Sequence, residues 1–212
     1  ISEKLGNIPV EASHSPLLDG CGTKSGGREI FSRTTLDTID GANHIHHMDQ
    51  LVSEMSKLWL RNPTKTKFMV KLNEAVSGQG NAIVSFPKDV DPASLRASER
   101  ADIVRNLVTK VDFRSTAVNS ANFPEVLAEL GCAIEVRATG DSVEEVMGHA
   151  FIHPNGEIEF LAPTLHHVLN GAHQGAAFPA PKEYSDQIQQ ATIKVGEELR
   201  ELGAVGYYGL DY

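Results

Sequence analysis

The chain has 212 residues, 41% of them hydrophobic and 22% charged, enough apolar material to pack one compact domain or two small lobes. That balance excludes a disordered tail, a collagen-like repeat and a coiled coil. Lys and Arg number 19 against 28 Asp and Glu, a formal charge of −9, so the surface lacks the cationic field that a nucleic acid or an anionic membrane needs. A nucleotide stays compatible, because two or three local cations and backbone amides suffice for its phosphates. No apolar run approaches the roughly 18–20 residues of a transmembrane helix, and the opening residues do not read as a signal peptide. The two cysteines, Cys21 and Cys132, have no metal-type spacing. Nothing supports a disulfide between them, and a reducing cytoplasm is the expected setting.

Residues 1–23 carry Gly6, Pro9, Pro16, Gly20 and Gly22 and read as an irregular lead-in. A short helix is expected from Ser25, as N-cap, to about Arg33. No period is visible over 34–47. Leu51, Val52, Met55, Leu58 and Trp59 then recur at helical spacing until Pro63. Lys67–Asn73 and Asn81–Phe86 read as strands flanking a loop of small residues at 74–80. Helices follow over 92–109 and over Phe123–Leu130, the latter closed by Gly131. Strands are expected at Cys132–Val136, Val146–Ile152 and Glu157–Leu161, with His153-Pro-Asn-Gly156 as a hairpin turn. Tyr184–Leu202 is an amphipathic helix ended by Gly203, and Ala204–Tyr212 begins a last strand. Hairpins outnumber βαβ alternations, so the fold class is α+β.

The most informative local pattern is Lys71-Leu-Asn-Glu-Ala-Val-Ser-Gly-Gln-Gly-Asn81. A lysine near a strand end supplies charge for a polyphosphate, and the glycines let backbone N–H groups approach phosphate oxygens. No Gly-Lys-Ser/Thr follows, so it is not a Walker A loop. On pattern alone, an ordinary hairpin with a permissive turn is the better account of it.

This segment resembles the lysine strand and glycine-rich phosphate loop of the ATP-grasp enzymes, in particular the peptide-ligase type of peptide natural-product assembly, as for pheganomycin. GTKSGGREIF at 22–31, GCAIEVRATGD at 131–141, GEIEFLAP, VLNGAHQGAAFPAP and the terminal ELGAVGYYGLDY follow in the order of that family. The resemblance implies two α+β lobes with a nucleotide site between them, residues 1–136 forming the first and 137–212 the second. It further implies that Lys24 and Lys71 contact the ATP phosphates and that Ser77, Gly78, Gln79, Gly80 and Asn81 form the lid loop. Glu135 accepts from the adenine amino group, and the Val136 and Arg137 backbone completes that edge. Asp211 matches a carboxylate that holds Mg2+.

The implied activity is an ATP-dependent carboxylate–amine ligase joining a carboxylate and an amine through an acylphosphate, with no nucleic-acid or membrane partner. A nucleotide-binding domain without catalysis is the alternative, and a plain interaction module a third. The family carries a Glu-x-Asn metal motif after the position of Asp211, so the chain is expected to be truncated there and its second lobe incomplete. Ser142–Gly148 and Thr164-Leu-His-His167 depart from the family pattern, leaving Asp141, Glu144 or Glu145 for the ribose. His166, His167 and Gln174 are candidates near the acceptor. His44-Ile-His46-His47, near Asp40 and Asp49, lacks a zinc-type spacing and reads as a solvated loop.

Overall fold

In a computed structural model of the chain, the described residues are 15–75, 78–113, 117–138, 144–169 and 172–211. They form helices α1 (Ser15–Cys21), α2 (Lys24–Arg33), α3 (Met48–Arg61), α4 (Ala97–Val108), α5 (Phe123–Leu130) and α6 (Lys182–Glu201). The strands are β1 (Gly41–Ile45), β2 (Lys67–Leu72), β3 (Asn81–Ser85), β4 (Cys132–Val136), β5 (Glu145–Ile152), β6 (Ile158–Leu169), β7 (Ala172–Ala177) and β8 (Gly206–Asp211). They make two four-stranded sheets, ordered β1-β4-β2-β3 and β7-β6-β5-β8. Every pairing is antiparallel, which makes the class α+β.

The chain divides into two compact units. Thr23–Glu29 and Asp37–Val143 make the first; Ile30–Leu36, Glu144–Tyr212 and the chain up to Gly22 make the second. The cut at 136/137 expected from sequence gives each lobe one continuous stretch, whereas each unit here is assembled from more than one.

The first unit is built on strict alternation. Phe68, Val70 and Leu72 on β2 lie opposite Val136, Ile134 and Cys132 on β4, and all six are buried. With Ala82 and Val84 of β3 they face Leu51, Met55, Leu58 and Trp59 of α3 and Val104 and Val108 of α4 in one core cluster. Trp59 packs on Phe86 with ring centroids 4.5 Å apart, and Phe68 meets the same ring edge-on at 5.0 Å. Each such large side chain contributes about 1.5–3 kcal/mol by leaving water. β4 lies between β1 and β2, and all five of its residues are buried. α5 ends at Gly131, whose φ of 69° with ψ of 173° is a backbone conformation that essentially only glycine adopts.

The second unit is a meander with α6 against one face. His153–Gly156 makes the expected turn: the His153 N–H donates to the Glu157 carbonyl and the Gly156 N–H to that of His153, both at 2.8 Å. Val146, Gly148, Ala150 and Ile152 of β5 are buried, and a Cβ at Gly148 would overlap the Thr192 hydroxyl of α6. The Tyr208 hydroxyl donates to the Thr192 carbonyl at 3.0 Å, fixing β8 to the same helix.

Four local readings differ from expectation. Ser15–Cys21 is helical despite Pro16 and Gly20, and 41–45 is a strand despite its small and polar residues. The helix expected over 92–109 is a 3-10 turn at Pro92–Ser94 followed by α4: the Asp91 carboxylate caps the start of the turn by accepting from the Ala93 N–H, and the extended backbone of Leu95 and Arg96 separates the two pieces. β6 runs on through Pro163 to Leu169 beside a register shift at His149/Ala150, and pairs with β7.

Candidate functional site

Side chains between the core-facing ones point to the opposite side of a strand. On the first sheet these are Met69 and Lys71 of β2, Ala133 and Glu135 of β4, Asn81 and Ile83 of β3, and Gly41 of β1. Lys71 lies opposite Asn81 on one side and Ala133 on the other, and Met69 and Gly41 lie opposite Glu135. The Lys71 ammonium contacts Glu135 Oε1, and the Arg28 guanidinium of α2 reaches Oε2 at 3.3 Å. The Glu135 side chain is only 11% exposed. A carboxylate so sheltered requires cationic partners, and two of them leave the trio with one net positive charge.

Arg28 also donates from Nη2 to the Ile39 carbonyl at 3.0 Å. Its course depends on Gly41, where a Cβ would overlap the Ile134 carbonyl and stand 2.6 Å from Arg28 Nη2. Arg28 Nε is buried and finds no hydrogen-bond partner among the described residues.

At the end of β2 the chain turns back through the glycine segment. The Leu72 N–H donates to the Gly80 carbonyl at 3.0 Å and the Asn81 N–H to that of Gly78 at 3.1 Å. Gly78 has φ 73°, Gln79 is exposed and Gly80 buried. Ser77 lies outside the described residues. The turn thus sits next to Lys71, as the sequence pattern suggested.

Lys24 is the first residue of α2 and its side chain is exposed. Ser25 is not the N-cap. Thr23 is: its hydroxyl accepts from the Gly26 N–H at 3.0 Å and its carbonyl from the Gly27 N–H at 2.9 Å. Ser25 is fully buried, donates from Oγ to the Cys132 carbonyl at 3.2 Å and accepts from the His44 N–H at 2.9 Å. The Lys24 N–H donates to the Asn73 carbonyl at 3.3 Å and the Ser25 N–H to Asn73 Oδ1 at 2.9 Å.

The Val136 N–H donates to the Asp40 carbonyl at 2.9 Å and the Arg137 N–H to that of Lys67 at 3.0 Å. The N–H side of this edge is thus used within the first unit. Asp40 itself is held by Arg61 at 2.9 Å and by Asn62 at 2.7 Å. The hydrogen bonds from Arg61, above all, keep its carboxyl below the usual carboxylate range.

In the second unit, Asp211 ends β8 with its side chain 68% exposed, 3.8 Å from His166 Nδ1. Glu145 lies opposite His166 in the β5–β6 ladder, and Met147 opposite Asp211. His167 lies opposite Gly175 of β7, so it alternates with His166, and Gln174 is exposed. Glu144 accepts from the Tyr184 hydroxyl at 2.6 Å, and this bond first of all pushes that phenol up to about 12. Asp141 lies outside the described residues. No three His, Cys, Asp or Glu side chains gather to hold a metal among the described residues. Asp211 alone does not fit a protein-built magnesium site.

Of the histidines at 44–47, His44 belongs to β1 rather than to a loop. It has φ 56° and pairs through Nε2 with Glu29 at 3.2 Å. Neither cysteine is in a disulfide, and burial pushes the Cys132 thiol up to about 12. Arg28 and Asn73 carry no assignment from sequence. The signal for Arg28 was its place four residues after Lys24, one helical turn on. Asn73 had only its place at a strand end.

The model of the IQCH-like ATP-grasp family matches residues 16–110. Over nearly its whole length the chain also superposes on solved ATP-grasp structures. One is the biotin carboxylase domain of the Hydrogenobacter thermophilus 2-oxoglutarate carboxylase in complex with ADP and magnesium ADP. Its TM-score is 0.65 at 12% identity, over 98% of this chain and 40% of that one. The chain has the ATP-grasp fold. The D-alanine-D-alanine ligase of Coxiella burnetii gives a TM-score of 0.55 at 13% identity, over 98% of this chain and 48% of that one. In sequence the chain is similar to the L-propargylglycine--L-glutamate ligase of Streptantibioticus cattleyicolor, at 24% identity over all of this chain and 41% of that protein. The chain spans less than half the length of these relatives. No helix among the described residues is long and apolar enough to cross a membrane.

Proposed function

We propose that this chain carries the ATP-handling part of an ATP-dependent carboxylate–amine ligase. The observation that carries the reading is the Lys71–Glu135–Arg28 trio, a net positive, partly buried cluster on the face of the first sheet opposite its core, beside the Gly78–Asn81 turn. In this reading Lys71 and Lys24 neutralise the phosphates of ATP, and Gly78, Gln79, Gly80 and Asn81, with Ser77, cover them. Glu135 accepts from the adenine amino group with lone pairs that its two cations leave over. The base meets the carbonyl side of Val136 and Arg137, since their N–H groups are engaged.

The chemistry follows from the poor electrophilicity of a carboxylate. A carboxylate oxygen attacks the terminal phosphorus of ATP, the bond to the bridging oxygen breaks, and ADP leaves. An amine then attacks the acyl carbon of the acylphosphate, loses a proton and expels inorganic phosphate, leaving an amide. Fixed cations contribute charge stabilisation without reorganisation, and a covered site protects the intermediate from water. Asp211 is proposed as one oxygen donor toward magnesium. Among the described residues no other His, Cys, Asp or Glu side chains complete a set with it.

A second reading is nucleotide binding without catalysis. Phosphate release from ATP in the presence of paired amino acids separates the two. Release that needs both a carboxylate and an amine supports the ligase. Nucleotide binding with no release under any pairing supports the second reading.

A further inference from the structure

We propose that Asn73 is a positioning residue that holds Lys24 in register with Lys71. The inference rests on the nucleotide reading above but concerns a residue to which neither the family pattern nor the sequence assigns a role. Asn73 follows β2, two residues after Lys71, and is 7% exposed. All four of its polar groups are engaged. Its N–H donates to the Gly131 carbonyl at 3.1 Å and its Nδ2 to the Leu130 carbonyl at 2.9 Å. Its carbonyl accepts from the Lys24 N–H at 3.3 Å, and its Oδ1 from the Ser25 N–H at 2.9 Å.

One residue therefore joins the start of α2, the end of β2 and the end of α5. Asparagine suits this place because its side chain offers an acceptor and a donor together; aspartate lacks the donor and alanine both. Ser25 adds a second tie through the Cys132 carbonyl and the His44 N–H.

The consequence concerns what α2 offers a phosphate. A free helix N-terminus presents unpaired N–H groups to an anion. Here Asn73 takes the first two, and Thr23 the next two. This turn is left with the Lys24 ammonium, exposed at its first position. Where that ammonium stands relative to Lys71 depends on Asn73, because the backbone of Lys24 hangs on the residue that closes the Lys71 strand.

A double-mutant cycle on ADP affinity, measured by calorimetry on the full chain, tests this. Asn73→Ala is expected to weaken ADP about tenfold in the parent background and less than about twofold in Lys24→Ala, since the residue acts through that lysine. Asn73→Ser, which keeps a hydroxyl in place of the amide and so is a milder cut of the same tie, is expected to show the same pattern at about threefold, and decides the matter if Asn73→Ala does not fold. A loss of equal size in both backgrounds means a general structural role and overturns the proposal, as does no loss at all. If the parent chain binds no ADP, the nucleotide reading falls first and this inference with it.

Discussion

The two units hold their candidate residues in different ways. In the first, Lys71 and Glu135 lie on the back of a sheet whose other face carries Phe68, Val70, Ile134 and a wall of α3 and α4 side chains. Glu135 is nearly enclosed and gripped from two sides. In the second, the buried cluster around Val146, Ala180 and Ile188 is small, and Asp211 stands largely in solvent with a 3.8 Å neighbour. The other face there carries instead a row of rings that meet edge-on, Phe151 against Tyr207 at 4.6 Å and against His153 at 4.8 Å, with Tyr207 itself 70% exposed. The difference teaches that charge placement in the first unit is set by packing before any ligand arrives. In the second unit the Asp211 carboxylate is mostly solvated, and packing does little to fix it.

The largest effect expected from this contrast is on stability. Trp59→Ala opens a cavity in the first core and is expected to cost about 3–5 kcal/mol. Tyr207→Ala removes one exposed ring and should cost less than about 1 kcal/mol. Denaturant unfolding of the two variants checks the pair, and equal losses would erase the distinction. Next, Glu135→Ala leaves Lys71 and Arg28 facing each other without a counter-charge, at a cost of about 1–3 kcal/mol. Glu135→Gln, which keeps the shape, should recover part of it by the same measurement.

These expectations also show how far the sequence could be read. β2 and β3 were legible because Phe68, Val70 and Leu72 alternate with Lys67, Met69 and Lys71. α3 was legible because its apolar stripe has the helical period. β1 was not, because Gly41-Ala-Asn-His holds no β-branched residue and becomes a strand only by pairing with β4. β6 was read too short because Pro163 looks like a stop, and β7 was missed among small residues. Lys71 and Glu135 could each be placed by resemblance. Their contact joins residues far apart in sequence, and nothing local announces that Arg28 completes it. The cap of α2 was misassigned because Thr23 and Ser25 are both good caps, and only burial tells which one faces the helix end.

Smaller effects come from single ionisable groups. Asp40 has its carboxyl lowered by Arg61, so its contribution is complete above the ordinary carboxylate value near 3.8 and is lost as pH falls through the lower folded value. Both partners are substantially exposed, so the effect should stay within about 1 kcal/mol. Asp40→Asn should flatten the acid limb of a stability–pH curve by that amount. The Cys132 thiol, buried and pushed up to about 12, should resist alkylation at pH 8 while half-buried Cys21 reacts, as mass spectrometry of the native chain would show.

The most direct test of the central claim is a thermal unfolding series with ADP, comparing the parent chain with Lys71→Ala. At about 100 times its dissociation constant a ligand stabilises the folded state by about 2.7 kcal/mol. The midpoint is expected to rise with ADP in the parent chain, and Lys71→Ala to abolish or greatly reduce that rise. An unchanged midpoint at millimolar ADP, or a rise of equal size in the variant, would contradict the assignment of the Lys71 face to a nucleotide.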